Sequence, residues 1–192
     1  MCIRDSLHIV EVQEGKLVKA SVFAKIDIKR RNNIRRNHSV THLLHKALKE
    51  VLGEHVNQAG SLVEAERMRF DFTHYEAISQ EDLKKIENKV NEKIFEALTV
   101  TTTLTNPSHA AELGAIGLFE EKYGDIVRVL SMGDYSIELC GGTHVSNTSE
   151  ISMFKILSEN GVSSGVRRIE GLTGPAVYKM LNNTLDLRDE AV

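Results

Sequence analysis

Cysteine is scarce in this chain, with only Cys2 and Cys140 present. Two thiols so far apart cannot lay down the disulfide framework of a secreted protein, and a reducing, cytoplasmic compartment is expected. No apolar run approaches the roughly 18 residues that a membrane span needs, and the N-terminus lacks the basic flank and apolar stretch of a secretory signal. No membrane association is therefore expected. Internal repeats, low-complexity tracts and Pro/Gly/Ser-rich linkers are missing too. A net charge of −3 denies the whole chain the basic character of a general nucleic-acid binder. Neither a Ser-His-Asp arrangement nor a carboxylate pair stands out, so nothing in the sequence suggests those two hydrolytic routes.

What remains is the composition of an ordinary folded domain. With 41% hydrophobic residues over 192 positions, one sizeable core forms without any need for a stabilising staple. The opening "MCIRDS" has no periodicity and no link to the alternating segment after it; it reads as a scar, and Cys2 is given no role. "LHIVEV" and "KLVKASVFAKIDI" alternate apolar and polar residues around Gly15 and predict a β-hairpin. "KIDIKRRNNIRRN" then concentrates Lys25, Lys29, Arg30, Arg31, Arg35 and Arg36, either a phosphate-attracting patch or a solvated turn.

A helix comes next, capped by Asn37 and stopped at Gly53, with Val40, Leu43, Leu44, Ala47, Leu48 and Val51 as its apolar stripe. "GSLVEAERMRFDFTH" predicts two strands, and Ser79 with Asp82 three residues on opens a long helix to about Leu98. "TVTTTLT" is a β-branched strand, after which Asn106 and Pro107 start a short helix through Leu113. Strands at "DIVRVLSM", "YSIELC", "EISMFKILSEN" and "SGVRRIEGL" precede a last helix from about Gly174 to Arg188. Strands outnumber helices without alternating with them. The expected class is α+β: a largely antiparallel sheet with helices packed on one face.

Chemistry concentrates in two short segments. His38 and His42 in "RNHSVTHLLHKAL" are four apart, so on a helix both imidazoles leave the same face at neighbouring turns. His45, three further on, reads as a packed or capping histidine rather than a third ligand. About a hundred residues downstream, Cys140 and His144 in "ELCGGTHV" flank two glycines and a threonine, which let the chain turn tightly. Two such pairs of borderline-soft donors make zinc the natural guest and magnesium or calcium poor ones. Spacing alone leaves open a buried cysteine beside an unrelated loop histidine. A metallopeptidase helix would carry glutamate directly after the first histidine; Ser39 stands there instead. Glu138 and Asp71 are either partners that orient a ligating imidazole or surface charges on strands.

"RNHSVTHLLHKAL", "QAGSLVEAERMRFDF", "ELCGGTHV" and "GVSSGVRRIEGLTG" occur in the order seen in the editing domains of alanyl-tRNA synthetases, and from about Ile28 onward the chain resembles that family. The related threonyl editing domains usually carry arginine after the cysteine and proline before the histidine. Gly141 and Thr143 at those places favour the alanyl branch, in which free-standing editing proteins are the other close relatives. The resemblance implies a zinc-binding editing fold over residues 29–173. Residues 1–28 resemble the end of a preceding β-barrel, and 174–192 a helix leading to a further region. No stretch resembles an aminoacylation domain.

The implied activity is hydrolysis of the ester in tRNA for alanine mischarged with serine or glycine, with the tRNA acceptor end as partner. By resemblance, His38, His42, Cys140 and His144 are the zinc ligands, and Gln58, Gly60 and Ser61 line the pocket. Thr41 is a further polar candidate, and Gly141 and Gly142 could bring backbone N–H groups to the ester oxygen. Arg35, Arg36, Arg69, Arg167 and Arg168 are the candidate contacts to RNA, with a cross-strand ion pair as the equal alternative for Arg69. Since Arg167 and Arg168 alternate across a strand, at most one of them faces that surface.

Overall fold

The computed structural model describes residues 11–16, 21, 23, 25–117 and 124–190. The expected N-terminal hairpin lies largely outside them.

The first helix, α1, runs Ile28–Leu52, beginning well before the expected cap. Asp27 is the actual N-cap, its carboxylate accepting the Arg30 N–H at 2.9 Å. With neither proline nor glycine between Asp27 and Asn37, nothing interrupts the helix. The basic segment is therefore its opening turns rather than a charged connection. Asn37 lies inside the helix and is buried. Its amide donates to the Glu64 carbonyl at 2.8 Å, and its oxygen accepts the Thr173 hydroxyl at 2.6 Å. Val40, Leu43, Leu44, Ala47 and Leu48 are fully buried, and the helix stops at Gly53, whose φ of 116° suits glycine.

The next elements match the sequence pattern closely. Strands β1 (Gln58–Val63) and β2 (Met68–Thr73) precede α2 (Gln80–Phe95), whose N-cap is Ser79. β3 (Val100–Thr105) leads into α3 (Pro107–Glu112), capped by Asn106. β4 (Val127–Met132) and β5 (Ser136–Leu139) come next. The "EISM" stretch, expected to begin a strand, instead contains a 3-10 turn over Thr148–Ile151, closed by reciprocal bonds between Asn147 and Glu150. β6 (Phe154–Ser163), β7 (Val166–Thr173) and α4 (Pro175–Glu190) complete the chain.

The class is α+β, but among the described residues the strands form two antiparallel sheets rather than one: β1-β2-β7-β6 and β3-β4-β5. Alternation marks a strand without naming its partner. Here β2 reaches past the middle of the chain to pair with β7, while β3, β4 and β5 pair with chain neighbours. One apolar cluster joins both sheets to α1 and α2: Phe70 and Phe72 of β2 and Leu130 and Met132 of β4 meet the α1 stripe and Ile86, Val90 and Ile94. No helix among the described residues is long and apolar enough to cross a membrane.

Candidate metal centre

Helix α1 and the loop after β5 meet at four donors. The ligand atoms of His38, His42, Cys140 and His144 all lie within 4.8 Å of one another. Cys140 Sγ is 3.6 Å from His38 Nε2 and 3.2 Å from His144 Nε2. The imidazole centroids stand 4.2 Å apart for His38 and His144 and 5.0 Å apart for His42 and His144. This cluster could hold a metal ion. His42 and His144 are buried, whereas His38 and Cys140 are partly exposed, so the cluster opens to the surface on one side.

The surrounding residues hold each donor in place. Glu138 of β5 is 2% exposed and lies 2.6 Å from His42 Nδ1 through Oε2 and 2.9 Å from His45 Nδ1 through Oε1. It is the imidazole-orienting carboxylate that its position beside the cysteine suggests. Asp71 is not: both of its oxygens are taken by Arg168, at 2.7 and 2.8 Å. With Nδ1 engaged, His42 keeps Nε2 as its free donor, a buried atom with no hydrogen-bond partner among the described residues. His45 lies outside the donor cluster.

Three residues brace the cysteine loop, and sequence reading did not assign them that work. The Ser39 hydroxyl accepts the Val145 N–H at 3.1 Å and sits 3.3 Å from His144 Nδ1. Arg128 donates to the carbonyls of Cys140 at 2.9 Å and Gly142 at 2.7 Å. Arg35 donates through Nε to the His144 carbonyl. Ser39 could have been suspected, since it comes directly after a ligand on the same helix. Nothing in sequence ties Arg35 to a loop 109 positions away.

Electrostatics prepare the sulfur for ligation. Burial alone would raise the Cys140 pKa, yet hydrogen bonds from His144 and His38 and the charge of the nearby His42 pull it down to about 3. At neutral pH it is a thiolate, the form that binds metal. Burial also opposes charge on His42, but Glu138 and Cys140 outweigh it and raise its pKa. His144 moves the other way, to about 4, chiefly through burial. A metal cation would take over the countercharge that the His42 proton supplies beside the thiolate.

The other candidates are dispersed. Gln58, Gly60 and Ser61 lie on the edge strand β1, where a bulge between Gln58 and Gly60 interrupts pairing with β2. The side chains of Gln58 and Ser61 make no hydrogen bond among the described residues, which leaves both able to meet a ligand. Thr41 donates its hydroxyl to the His38 carbonyl at 2.7 Å, within its own helix. Gly141 is exposed and Gly142 half-buried in the cysteine loop.

All five candidate RNA-contacting arginines have partners inside the protein. Arg35 holds His144, and Arg36 donates to the Glu150 carbonyl at 2.7 Å. Arg69 stands 3.6 Å from Asp71 on its own strand, and Arg168 grips the same carboxylate from β7. Arg167 pairs with Glu159 of β6. The two neighbouring β7 arginines thus engage different strands.

Comparison with known proteins points the same way as the motifs. Residues 127–170 match the model of the threonyl and alanyl tRNA synthetase second additional domain. Over 187 residues, 97% of this chain, the sequence is 55% identical to the alanine–tRNA ligase of Bacillus cytotoxicus, of which it spans 21%. It is 60% identical over 175 residues, 91% of the chain, to 20% of the alanine–tRNA ligase of Clostridioides difficile strain 630. The chain thus spans about a fifth of the length of these relatives. The resemblance first carried by four motifs extends along nearly the whole chain, which is similar to one region of the alanine–tRNA ligases and includes a match to their second additional domain.

Proposed function

We propose that this chain is a cytoplasmic editing module that hydrolyses the aminoacyl ester of tRNA for alanine wrongly charged with serine or glycine. The observation that carries this reading is the convergence of His38 and His42 with Cys140 and His144 in a chain so similar to alanine–tRNA ligases. The unit responsible is residues 29–173.

Zinc is the guest proposed for the cluster. Tetrahedral zinc with bonds of about 2.0–2.3 Å sets neighbouring donors roughly 3.5 Å apart, close to the sulfur–nitrogen separations of 3.2 and 3.6 Å. A thiolate with three imidazoles suits it, and hard oxygen-seeking cations do not fit. Bound there, zinc would supply Lewis acidity or a hold on the substrate's amino or carbonyl group.

The chain's own residues do the remaining work. Glu138 keeps the proton on His42 Nδ1, Ser39 steadies His144, and the N–H groups of Gly141 and Gly142 face the developing charge on the ester oxygen. Gln58, Gly60 and Ser61 form the wall that meets the aminoacyl group, with Thr41 behind the ligand turn. A hydroxyl-binding wall prefers serine, because alanine would leave its polar groups unpaired. This supplies what an apolar synthetic pocket lacks, since such a pocket rejects an added hydroxyl only about a hundredfold. Arg35, Arg36 and Arg69 are the proposed contacts to the acceptor end, joined by at most one of Arg167 and Arg168, which alternate across β7.

The deciding experiment measures release of amino acid from seryl-, glycyl- and alanyl-tRNA, with and without a chelator. Chelator-sensitive release from the first two is expected. A second reading comes from the cluster having four protein donors, which suits a metal that only braces an RNA-binding fold. Tight zinc binding with no hydrolysis would establish that reading instead.

A further inference from the structure

We propose that His45 is a positioning residue of the metal centre, acting through Glu138 to set the orientation and tautomer of His42 while staying outside the coordination sphere. The inference rests on the cluster being a metal site.

His38, His42 and His45 share one face of α1, so spacing alone does not separate the third from the first two. Glu138 separates them. Its carboxylate lies between two rings, one oxygen 2.6 Å from His42 Nδ1 and the other 2.9 Å from His45 Nδ1. An ionised carboxylate only accepts hydrogen bonds, so both rings must present Nδ1–H to it. His42 is thereby left with Nε2 as its donor. Held by His42 alone, the carboxylate could swing about its last torsion; anchored at both oxygens, its plane is set, and so is the ring it faces.

Packing does not account for His45. It is 2% exposed against Phe70, with ring centroids 5.6 Å apart, and its Nε2 is buried without a hydrogen-bond partner among the described residues. An apolar side chain would fill such a place without burying an unpaired nitrogen. Among the described residues, the one side-chain hydrogen bond of His45 goes to Glu138.

The test uses the full chain loaded with cobalt(II), whose visible bands report both affinity and ligand geometry. His45→Leu should fold, lose about 10–100-fold in cobalt affinity and show shifted bands. His45→Asn, whose amide N–H falls near the Nδ1 position, should recover most of the affinity and the original spectrum. In a Glu138→Gln background, adding His45→Leu should cost little more, because the route from His45 to the metal is already cut. Wild-type affinity and spectrum in His45→Leu would overturn the proposal, as would failure of asparagine to restore them. Fully additive losses in the double variant would overturn it as well. If leucine does not fold, His45→Asn against His45→Gln makes the same comparison, since the longer amide misses the oxygen. A wild-type chain that takes up no cobalt would overturn the metal reading itself.

Discussion

A β-carbon placed on Gly142 would lie 2.0 Å from Cε1 of His38. The loop carrying two of the donors therefore touches the helix carrying the other two at a point where only glycine fits. The constraint is close approach rather than backbone conformation. Gly142→Ala must push the His38 ring out of the cluster. Zinc content and deacylation should both fall by at least about 10-fold, with little change in thermal stability. Full metal occupancy in that variant would show that the ring has room to spare.

Cys140 supplies the one sulfur of the cluster, and its thiolate would be the charged ligand of a bound metal. Cys140→Ala should lose more than the roughly 10–100-fold that removal of an outer partner costs, in zinc affinity and in deacylation alike. Elemental analysis beside the tRNA assay checks both. Undiminished hydrolysis would remove the cysteine from the reaction.

Selectivity is expected to lie on β1. Replacing Gln58 with alanine should reduce the preference for seryl- over alanyl-tRNA by about 10-fold, the effect of one hydrogen bond to the substrate hydroxyl. The ratio of kcat/KM for the two substrates is the measurement, and an unchanged ratio would rule the side chain out.

Asn37 joins α1 to the β1–β2 turn and to the end of β7, with its polar atoms paired in a buried place. Asn37→Ala leaves the Thr173 hydroxyl and the Glu64 carbonyl short of a partner. A loss of about 2 kcal/mol in unfolding free energy is expected by denaturant titration. An effect within a few tenths of a kcal/mol would mean that water replaces the side chain freely.

Hydrogen bonds from Arg168 hold the Asp71 carboxyl below its ordinary value of 3.8. A carboxyl depressed on folding contributes stability that is fully present above the unfolded value and is lost as pH falls toward the folded one. The window therefore opens just below pH 4. Asp71→Asn should shrink the difference between unfolding midpoints at pH 7 and pH 3. An identical acid dependence in wild type and variant would assign the acid sensitivity elsewhere.

Local signals were legible wherever the residue and its use are neighbours. Ser79 and Asn106 cap the helices they precede, Pro107 opens α3, and the alternation of Met68, Phe70 and Phe72 puts all three in the core. Asn37 misled because a good capping residue is equally good at bonding distant backbone from within a helix. The arginines were harder still. A guanidinium that could meet phosphate satisfies a carbonyl or carboxylate just as well, and chain order does not say which lies within reach.

The spacing of His38 with His42, and of Cys140 with His144, was determined by the sequence, because the rise of a helix and the turning freedom of glycine are local properties. Only the tertiary structure decided that the two pairs meet, that Glu138 lies between His42 and His45 while Asp71 answers to Arg168, and that the strands divide into two sheets. Those outcomes depend on packing and pairing between segments many positions apart, where the free energy lies in contacts that no stretch of chain contains alone.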